Sequence, residues 1–268
     1  MLNKFLILGA LASLFCTTTA QADKLDDIVS NGKIRCAVML DFPPMGSRDS
    51  GNNPVGFDVD YCKDLAKALS VEAEIVETQS PDRIPALMSD RADVIIGSTS
   101  DTLERAKTVG FSVPYFAFEF VLLTKKGSDI KSWQDAKGHA IGANSGTYEA
   151  IQAEKDVKFW GSGSFRGYQT QNDTLLAVNQ GHIDASISTS TVVATTIASG
   201  RYPNLQMGPK VPYPIDYVAL AAPREEYGLI NYLNLFINQQ VRTGRYAELY
   251  KKYFNSEPVP LTVGDVYR

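Results

Sequence analysis

Short apolar runs alternate along this chain with segments whose apolar residues recur every three or four positions, and that alternation limits the folds open to it. After a helix-like start at Asp23–Val29, stopped by Gly32, Ile34–Met39 is a run of the first kind. Phe57, Val59, Cys62, Leu65, Ala66 and Leu69 are spaced as one face of a helix. Ala73–Glu77 and Asp93–Gly97 read as strands, with Ile84–Met88 a helix between them. A second unit of the same kind follows. Phe120–Thr124, Ala140–Ala143 and Ile183–Ile187 are its strands. Trp133–Lys137, a segment from Gly146 onward, Thr174–Asn179 and Thr191–Ala198 are its helices. Tyr217–Ala221 adds a strand, and Leu229–Val241 and Tyr246–Tyr253 close the chain as helices. This order implies an α/β protein with mostly parallel sheets and helices on both faces. A length of 268 residues suits one large domain or two modest ones. No Gly/Ser-rich tether parts the two units, so strands are expected to join them.

Residues 1–22 read as a secretory leader: Lys4 is the positive end, Phe5–Phe15 the apolar stretch and Ala20-Gln21-Ala22 the cleavage site. An apolar stretch of about eleven residues is too short to span a bilayer, which takes roughly 20. Phe15 before Cys16 is too bulky for a lipid-anchor site. An exported, soluble product is expected, which places Cys36 and Cys62 in a disulfide-permissive compartment. A bridge between them is conceivable, but both fit as small buried hydrophobes, and two packed thiols are the favoured reading.

A net charge of −4 with no basic stripe leaves no electrostatic footprint for nucleic acid. The two histidines, His139 and His182, each adjoin a glycine in a turn-like stretch, and no hydrolase or metal motif occurs. No metal or cofactor is expected. Gly161–Gly167 is glycine-rich, but its last glycine comes too late for a dinucleotide loop, and it reads as a flexible loop. In Asn172-Asp173-Thr174, Asn172 or Asp173 is expected to cap a helix.

Gly97-Ser98-Thr99-Ser100-Asp101-Thr102-Leu103-Glu104-Arg105 follows a strand, and ligands of open α/β sheets bind at such carboxyl ends. Ser98 and Ser100 are placed to cap the next short helix, and Arg105 offers a two-pronged fork to a carboxylate. The alternative is an ordinary cap, with Arg105 paired to Glu104 or Asp101 at the surface. Asn144-Ser145-Gly146-Thr147-Tyr148 makes a matching loop in the second unit, again with hydroxyls beside free N–H groups. Two such loops suggest a ligand held between the units.

The chain resembles the periplasmic solute-binding proteins of polar-amino-acid ABC importers over residues 23–268. The matching pieces are Gly32-Lys33-Ile34-Arg35, Gly56-Phe57-Asp58-Val59-Asp60, Arg83-Ile84-Pro85-Ala86-Leu87, Gly97–Arg105, Phe111-Ser112-Val113-Pro114-Tyr115, Ser145-Gly146-Thr147 and the closing Gly244-Arg245-Tyr246. Gly97–Ser112 and Leu122–Gly127 look close to glutamate/aspartate binders. The resemblance implies a two-lobed periplasmic-binding-protein fold, with lobe 1 at 23–115 and 217–268, lobe 2 at 120–212, and hinges near 116–119 and 213–216. It implies a monomer that delivers a polar or acidic amino acid to a membrane permease. It also implies that Arg105, Ser100 and the Ser98 backbone hold the ligand's carboxylate, joined by Ser145 and Thr147 from lobe 2. Phe42 would pack on its aliphatic part, and Arg83 would reach a side-chain carboxylate, a surface salt bridge being the alternative. Thr189 stands where the family usually has an Asp for the ligand's ammonium. Glu119 or Asp216 would then substitute, or the ligand would be a small organic acid. A lyase on the same scaffold, like the cyclohexadienyl dehydratases, is the rival to a binding protein.

Overall fold

The computed structural model describes residues 23–255 together with Pro258 and Leu261, so the leader expected at 1–22 lies outside the described residues. The first lobe opens with α1 (Lys24–Asn31) and β1 (Lys33–Val38), then a small hairpin of β2 (Ser47–Arg48) and β3 (Pro54–Val55). It continues through α2 (Phe57–Leu69), β4 (Glu72–Glu77), α3 (Arg83–Met88), β5 (Val94–Ser100) and β6 (Val109–Phe118). The second lobe holds β7 (Phe120–Lys125), β8 (Ala140–Asn144), α4 (Tyr148–Trp160), β9 (Ser164–Tyr168), α5 (Gln171–Gln180), β10 (Ala185–Thr189), α6 (Ser190–Ala198) and β11 (Leu205–Lys210). The chain then returns with β12 (Asp216–Pro223), α7 (Tyr227–Arg242) and α8 (Arg245–Phe254).

Each lobe is built on one five-stranded sheet, ordered β4-β1-β5-β12-β6 in the first and β11-β7-β10-β8-β9 in the second. The two-lobed α/β architecture is as expected, but the sheets are more mixed than the strand–helix alternation suggests. In each sheet two pairings are parallel and two antiparallel. The antiparallel pairings all involve strands that carry the chain between lobes or lie against such a strand. β6 runs directly into β7 through Glu119, and β11 leads back to β12, so the two crossings lie side by side. Val211 N–H donates to the Phe120 carbonyl at 2.9 Å, and Asp216 pairs with Phe118.

Local chemistry explains the element ends. Asp23 caps α1 by accepting the Leu25 N–H at 2.9 Å, and Gly32 ends it in the left-handed conformation. Thr170, not Asn172 or Asp173, caps α5, because its hydroxyl accepts the Asp173 N–H at 3.0 Å. Trp133–Lys137 yields only a single 3-10 turn at Gln134–Ala136. Ser164–Tyr168, read from its glycines as part of a flexible loop, is strand β9, paired in parallel with all five residues of β8. An edge strand needs partners on one side only, so a glycine-rich stretch suffices. The edge position of β6 likewise tolerates Pro114.

The core of lobe 1 centres on Phe57, whose ring meets those of Tyr61, Tyr115, Phe116 and Tyr246 at centroid distances of 5.4–6.3 Å. Those rings come from α2, β6 and α8, so the returning C-terminal segment is packed into the first lobe. Cys36 and Cys62 form a disulfide, which corrects the expectation of two packed thiols. The packing of α2 on β1 sets their Cα atoms 6.3 Å apart, within bonding range. Replacing both cysteines with alanine should lower the unfolding free energy by about 2–4 kcal/mol. A urea midpoint equal to that of the parent protein would show that the bridge adds nothing.

Candidate functional site

The carboxyl ends of β5, β8 and β10 face one another across the space between the lobes, and a narrow cavity of about 10 Å³ lies there. Met39, Phe42, Phe118 and Tyr148 form its apolar wall, Ser98, Ser100, Thr147 and Thr189 supply hydroxyls, and Arg83, Glu149 and Asp216 supply charge. So small a cavity has room for about one water, and a larger ligand enters only when the lobes part or wall side chains move.

Arg83, the first residue of α3, is 2% exposed, so the surface salt bridge is ruled out. Its guanidinium donates to the Ser80 carbonyl (3.0 Å), the Ser80 hydroxyl (2.9 Å), the Ser98 carbonyl (2.8 Å) and the Gly97 carbonyl. A longer contact of 3.5 Å reaches the Gly146 carbonyl in lobe 2. Burial, with the nearby charge of Arg105, lowers its pKa to about 10. Arg105 faces the cleft rather than Glu104 or Asp101. It donates to the Ser100 carbonyl at 3.1 Å and, across the lobes, to the Gly146 carbonyl at 2.7 Å. It stands beside the cavity rather than in its wall.

Ser98 and Ser100 lie in the last three residues of β5 and cap no helix; the short 3-10 turn at Arg105–Lys107 follows Glu104 without a side-chain cap, and Thr102 only accepts the Arg105 N–H at 3.3 Å. Ser98 lies in the left-handed region at φ 52 and its polar groups turn inward. Its N–H donates to the Tyr115 hydroxyl (3.1 Å) and its own hydroxyl to Asp58 (3.2 Å). The expectation that the Ser98 backbone meets a ligand carboxylate is therefore not met in this arrangement. Asp58 is 1% exposed and also accepts from Tyr115 at 2.7 Å. Burial raises its pKa to about 7 despite those two bonds.

Ser100 donates to Asp216 at 3.0 Å. Asp216 starts β12 and its pKa rises to about 7, again through burial, with Arg105 and Arg83 pulling it down. Glu149, 3% exposed in the first turn of α4, is raised to about 7 by the same cause. Thr147 caps α4, accepting the Ala150 N–H (3.2 Å) and donating to the Asn144 carbonyl (2.8 Å). Thr189 caps α6 through the Val192 N–H at 3.4 Å. Phe42 meets Phe118 edge-on at 6.2 Å. Ser145 is not in the wall: its Oγ sits 2.5 Å from where a Cβ on Gly167 would lie.

Of the two substitute acids, Asp216 lines the cavity while Glu119 is paired with Lys210 at 2.6 Å. Glu149, Phe118, Met39 and Tyr148 escaped the sequence reading. Glu149 looks from sequence like any acid in a helix's first turn. Among the described residues, no group of three or more His, Cys, Asp or Glu side chains is placed to hold a metal.

Residues 34–256 match the bacterial extracellular solute-binding proteins, family 3, and the chain belongs to that family. It is 28% identical over 244 residues to the ABC transporter glutamine-binding protein GlnH of Bacillus subtilis, covering 89% of this chain and 87% of that one. An ancestral arginine-binding protein bound to arginine superposes with a TM-score of 0.78 at 28% identity, over 83% of this chain and 98% of the other. The ancestral amino acid-binding protein AncCDT-1, a precursor of cyclohexadienyl dehydratase, gives 0.77 at 29% identity, over 86% and 99%.

Asp58, Glu149 and Asp216 all hold protons in the folded protein that the unfolded chain would release. Their stabilising contribution is full below about pH 4 and is lost as pH rises through about 7. Asp90 and Asp93 are pulled the other way, Asp90 chiefly by its bond to Lys24 and Asp93 by its bonds to Arg35, so they favour folding above their unfolded pKa. The melting temperature should therefore peak in mild acid and fall between pH 5 and pH 8. Asp216→Asn or Glu149→Gln should flatten that fall; an unchanged slope would show that these carboxyls bind no extra protons.

Proposed function

We propose that this chain is the periplasmic receptor of an ABC importer and that its cleft captures a free amino acid. The reading rests on one observation: two guanidinium groups and two buried carboxyls converge where the lobes meet, a charge layout complementary to a zwitterion. Relatives named as amino-acid-binding proteins of ABC transporters support it.

In this reading lobe 1 comprises 23–115 and 217–268, lobe 2 comprises 120–212, and the chain bends near 116–119 and 213–216. Arg105 takes the α-carboxylate, which displaces the Gly146 carbonyl from the guanidinium. Ser100 and Thr147 flank that group, and Ser98 and Arg83 hold the end of β5 in place behind it. Asp216 and Glu149 receive the α-ammonium, which accounts for Thr189 in the usual Asp position. Phe42 and Phe118 cover the aliphatic carbons. Residues 1–22 direct export, and the closed form is what docks on the permease.

A lyase remains the rival because Glu149, buried and raised to about 7, is placed as a general acid would be. The chain should neither convert prephenate nor arogenate; turnover of either would reverse the choice. A thermal-shift panel of amino acids and small organic acids tests the main reading, since a ligand that binds only the folded form raises its melting point. Arg105→Ala should weaken binding of the best ligand by about 30-fold or more, the loss of a desolvated charge pair. Unchanged calorimetric affinity would remove Arg105 from the site.

A further inference from the structure

The lobes touch at Gly146, and the reading above uses only its carbonyl. The rest of the residue is set against lobe 1. A Cβ built on Gly146 would fall 2.8 Å from the Cα and 2.9 Å from the backbone nitrogen of Pro81. Pro81 sits in the single 3-10 turn at Ser80–Asp82, between β4 and α3. Ordinary contact begins near 3.4 Å, so a side chain at 146 would lie about 0.6 Å too close to backbone that cannot rotate away.

Both sides of the contact are braced. In lobe 1, Arg83 holds the turn through the Ser80 carbonyl at 3.0 Å and the Ser80 hydroxyl at 2.9 Å, and the proline ring fixes its own φ. In lobe 2, the Ser145 N–H donates to the Tyr168 carbonyl at 2.7 Å and the Thr147 hydroxyl to the Asn144 carbonyl at 2.8 Å. Those two bonds pin the chain on each side of Gly146, which itself lies in the left-handed region at φ 78. Close-packed interiors transmit strain rather than absorb it. A side chain wedged between two braced segments therefore displaces one lobe against the other.

We infer that Gly146 is a positioning residue for closure: its bare α-carbon sets how near the lobes come, and a side chain there holds them apart. The inference rests on the proposal that the chain bends near 116–119 and 213–216, not on which solute the cleft takes. The gap matters because groups from both lobes stand beside the contact. Arg105 and Arg83 reach the Gly146 carbonyl from lobe 1 at 2.7 Å and 3.5 Å, and Thr147 and Glu149 follow it in lobe 2. A shift of about 0.6 Å along the Arg105 bond would stretch it to about 3.3 Å, past the usual range for an N–H···O bond. A solute held by Arg105 and Asp216 on one side would meet Thr147 and Glu149 on the other at the same disadvantage.

Gly127 supplies the control, because it has nearly the same backbone, φ 83, and nothing within 4 Å of a built Cβ. Gly146→Ala and Gly127→Ala should each lower the melting temperature by about 2–4 °C, the effect of a left-handed alanine. Only Gly146→Ala should alter closure. Spin labels on Leu103→Cys and Ile151→Cys, exposed positions in lobes 1 and 2, read the separation without added ligand and with arginine, glutamine, histidine or glutamate. The population at the shortest separation should fall about threefold or more in Gly146→Ala and match the parent in Gly127→Ala. Whichever of the four binds the parent most tightly should bind Gly146→Ala about 10-fold more weakly, through faster dissociation. Gly146→Asn, which tolerates the left-handed region, should act alike and takes the place of the alanine variant if that one does not fold. An unchanged distribution in Gly146→Ala, an equal loss in Gly127→Ala, or tighter binding by Gly146→Ala would overturn the inference while leaving the bending in place. A separation that neither the four amino acids nor the substitutions move would count against the bending itself, and the inference would fall with it.

Discussion

A guanidinium taken out of water must find acceptors for nearly all its N–H groups, or the cost of burying it is several kcal/mol. Arg83 meets that demand with the carbonyls of Ser80, Gly97 and Ser98 and the Ser80 hydroxyl, and in doing so it fixes the carboxyl end of β5. The rest of the site follows from that brace. With the Ser98 carbonyl held by Arg83, its N–H and hydroxyl are held from the other side by Tyr115 and Asp58. A serine with φ 52 is uncommon, and a left-handed non-glycine costs of order 1–3 kcal/mol unless its surroundings determine it. Here three buried side chains do so. The Gly56-Phe57-Asp58 motif thus acts at a distance: Phe57 anchors the aromatic core, and Asp58 shapes the strand end from which Ser100 and Arg105 project.

The cleft's charges are arranged in depth. Arg83 and Asp58 are taken up by hydrogen bonds as scaffold, whereas Arg105, Asp216 and Glu149 have bonding capacity directed at the space between the lobes. Arg105 spends one prong on the Gly146 carbonyl, a neutral acceptor that an anion would outcompete, because charge-assisted bonds are roughly twice as strong as neutral ones. Asp216 and Glu149 are raised to about 7 by burial, so a ligand ammonium placed between them would favour their ionised forms. Proton release on binding is the thermodynamic counterpart of that arrangement.

Much of the fold was legible because hydrophobic periodicity is a local property. The helix at Phe57–Leu69 and the strands at β1, β5 and β7 follow directly from side-chain spacing. What escaped depends on distant partners. β9 is a strand because β8 lies beside it, and its own Ser-Phe-Arg-Gly-Tyr carries no strand pattern. The half-antiparallel sheets reflect a chain that crosses between lobes twice, which no window of a dozen residues records. Among the candidate site residues, Arg105 and Thr147 stood out because loops after strands are where α/β ligands bind. Glu149 did not, because an acid in a helix's first turn has a sufficient local reason to be there. Whether Cys36 and Cys62 join is likewise a matter of how α2 sits on β1.

The polar ties between the lobes help explain how such a cavity can both admit and enclose a solute. Among the described residues, Arg105 and, at longer range, Arg83 reach Gly146, and Gln171 reaches Asp41, each joining a lobe 1 group to a lobe 2 group without a dense apolar contact. Side chain–backbone bonds of this kind contribute about 1 kcal/mol each, more with a charged partner, so parting the lobes is within thermal reach. A ligand shifts that equilibrium only through contacts that it makes better in the closed form. Arg105 and Asp216 lie on the lobe 1 side and Thr147, Glu149 and Thr189 on the other, so a solute touching both sets gains its second set only on closure. Because the Arg105–Gly146 tie uses the same prong that an anion would take, closure around a ligand replaces a weak internal bond with a stronger one. The same geometry that holds the lobes together thereby makes their closure depend on the charge of what lies between them.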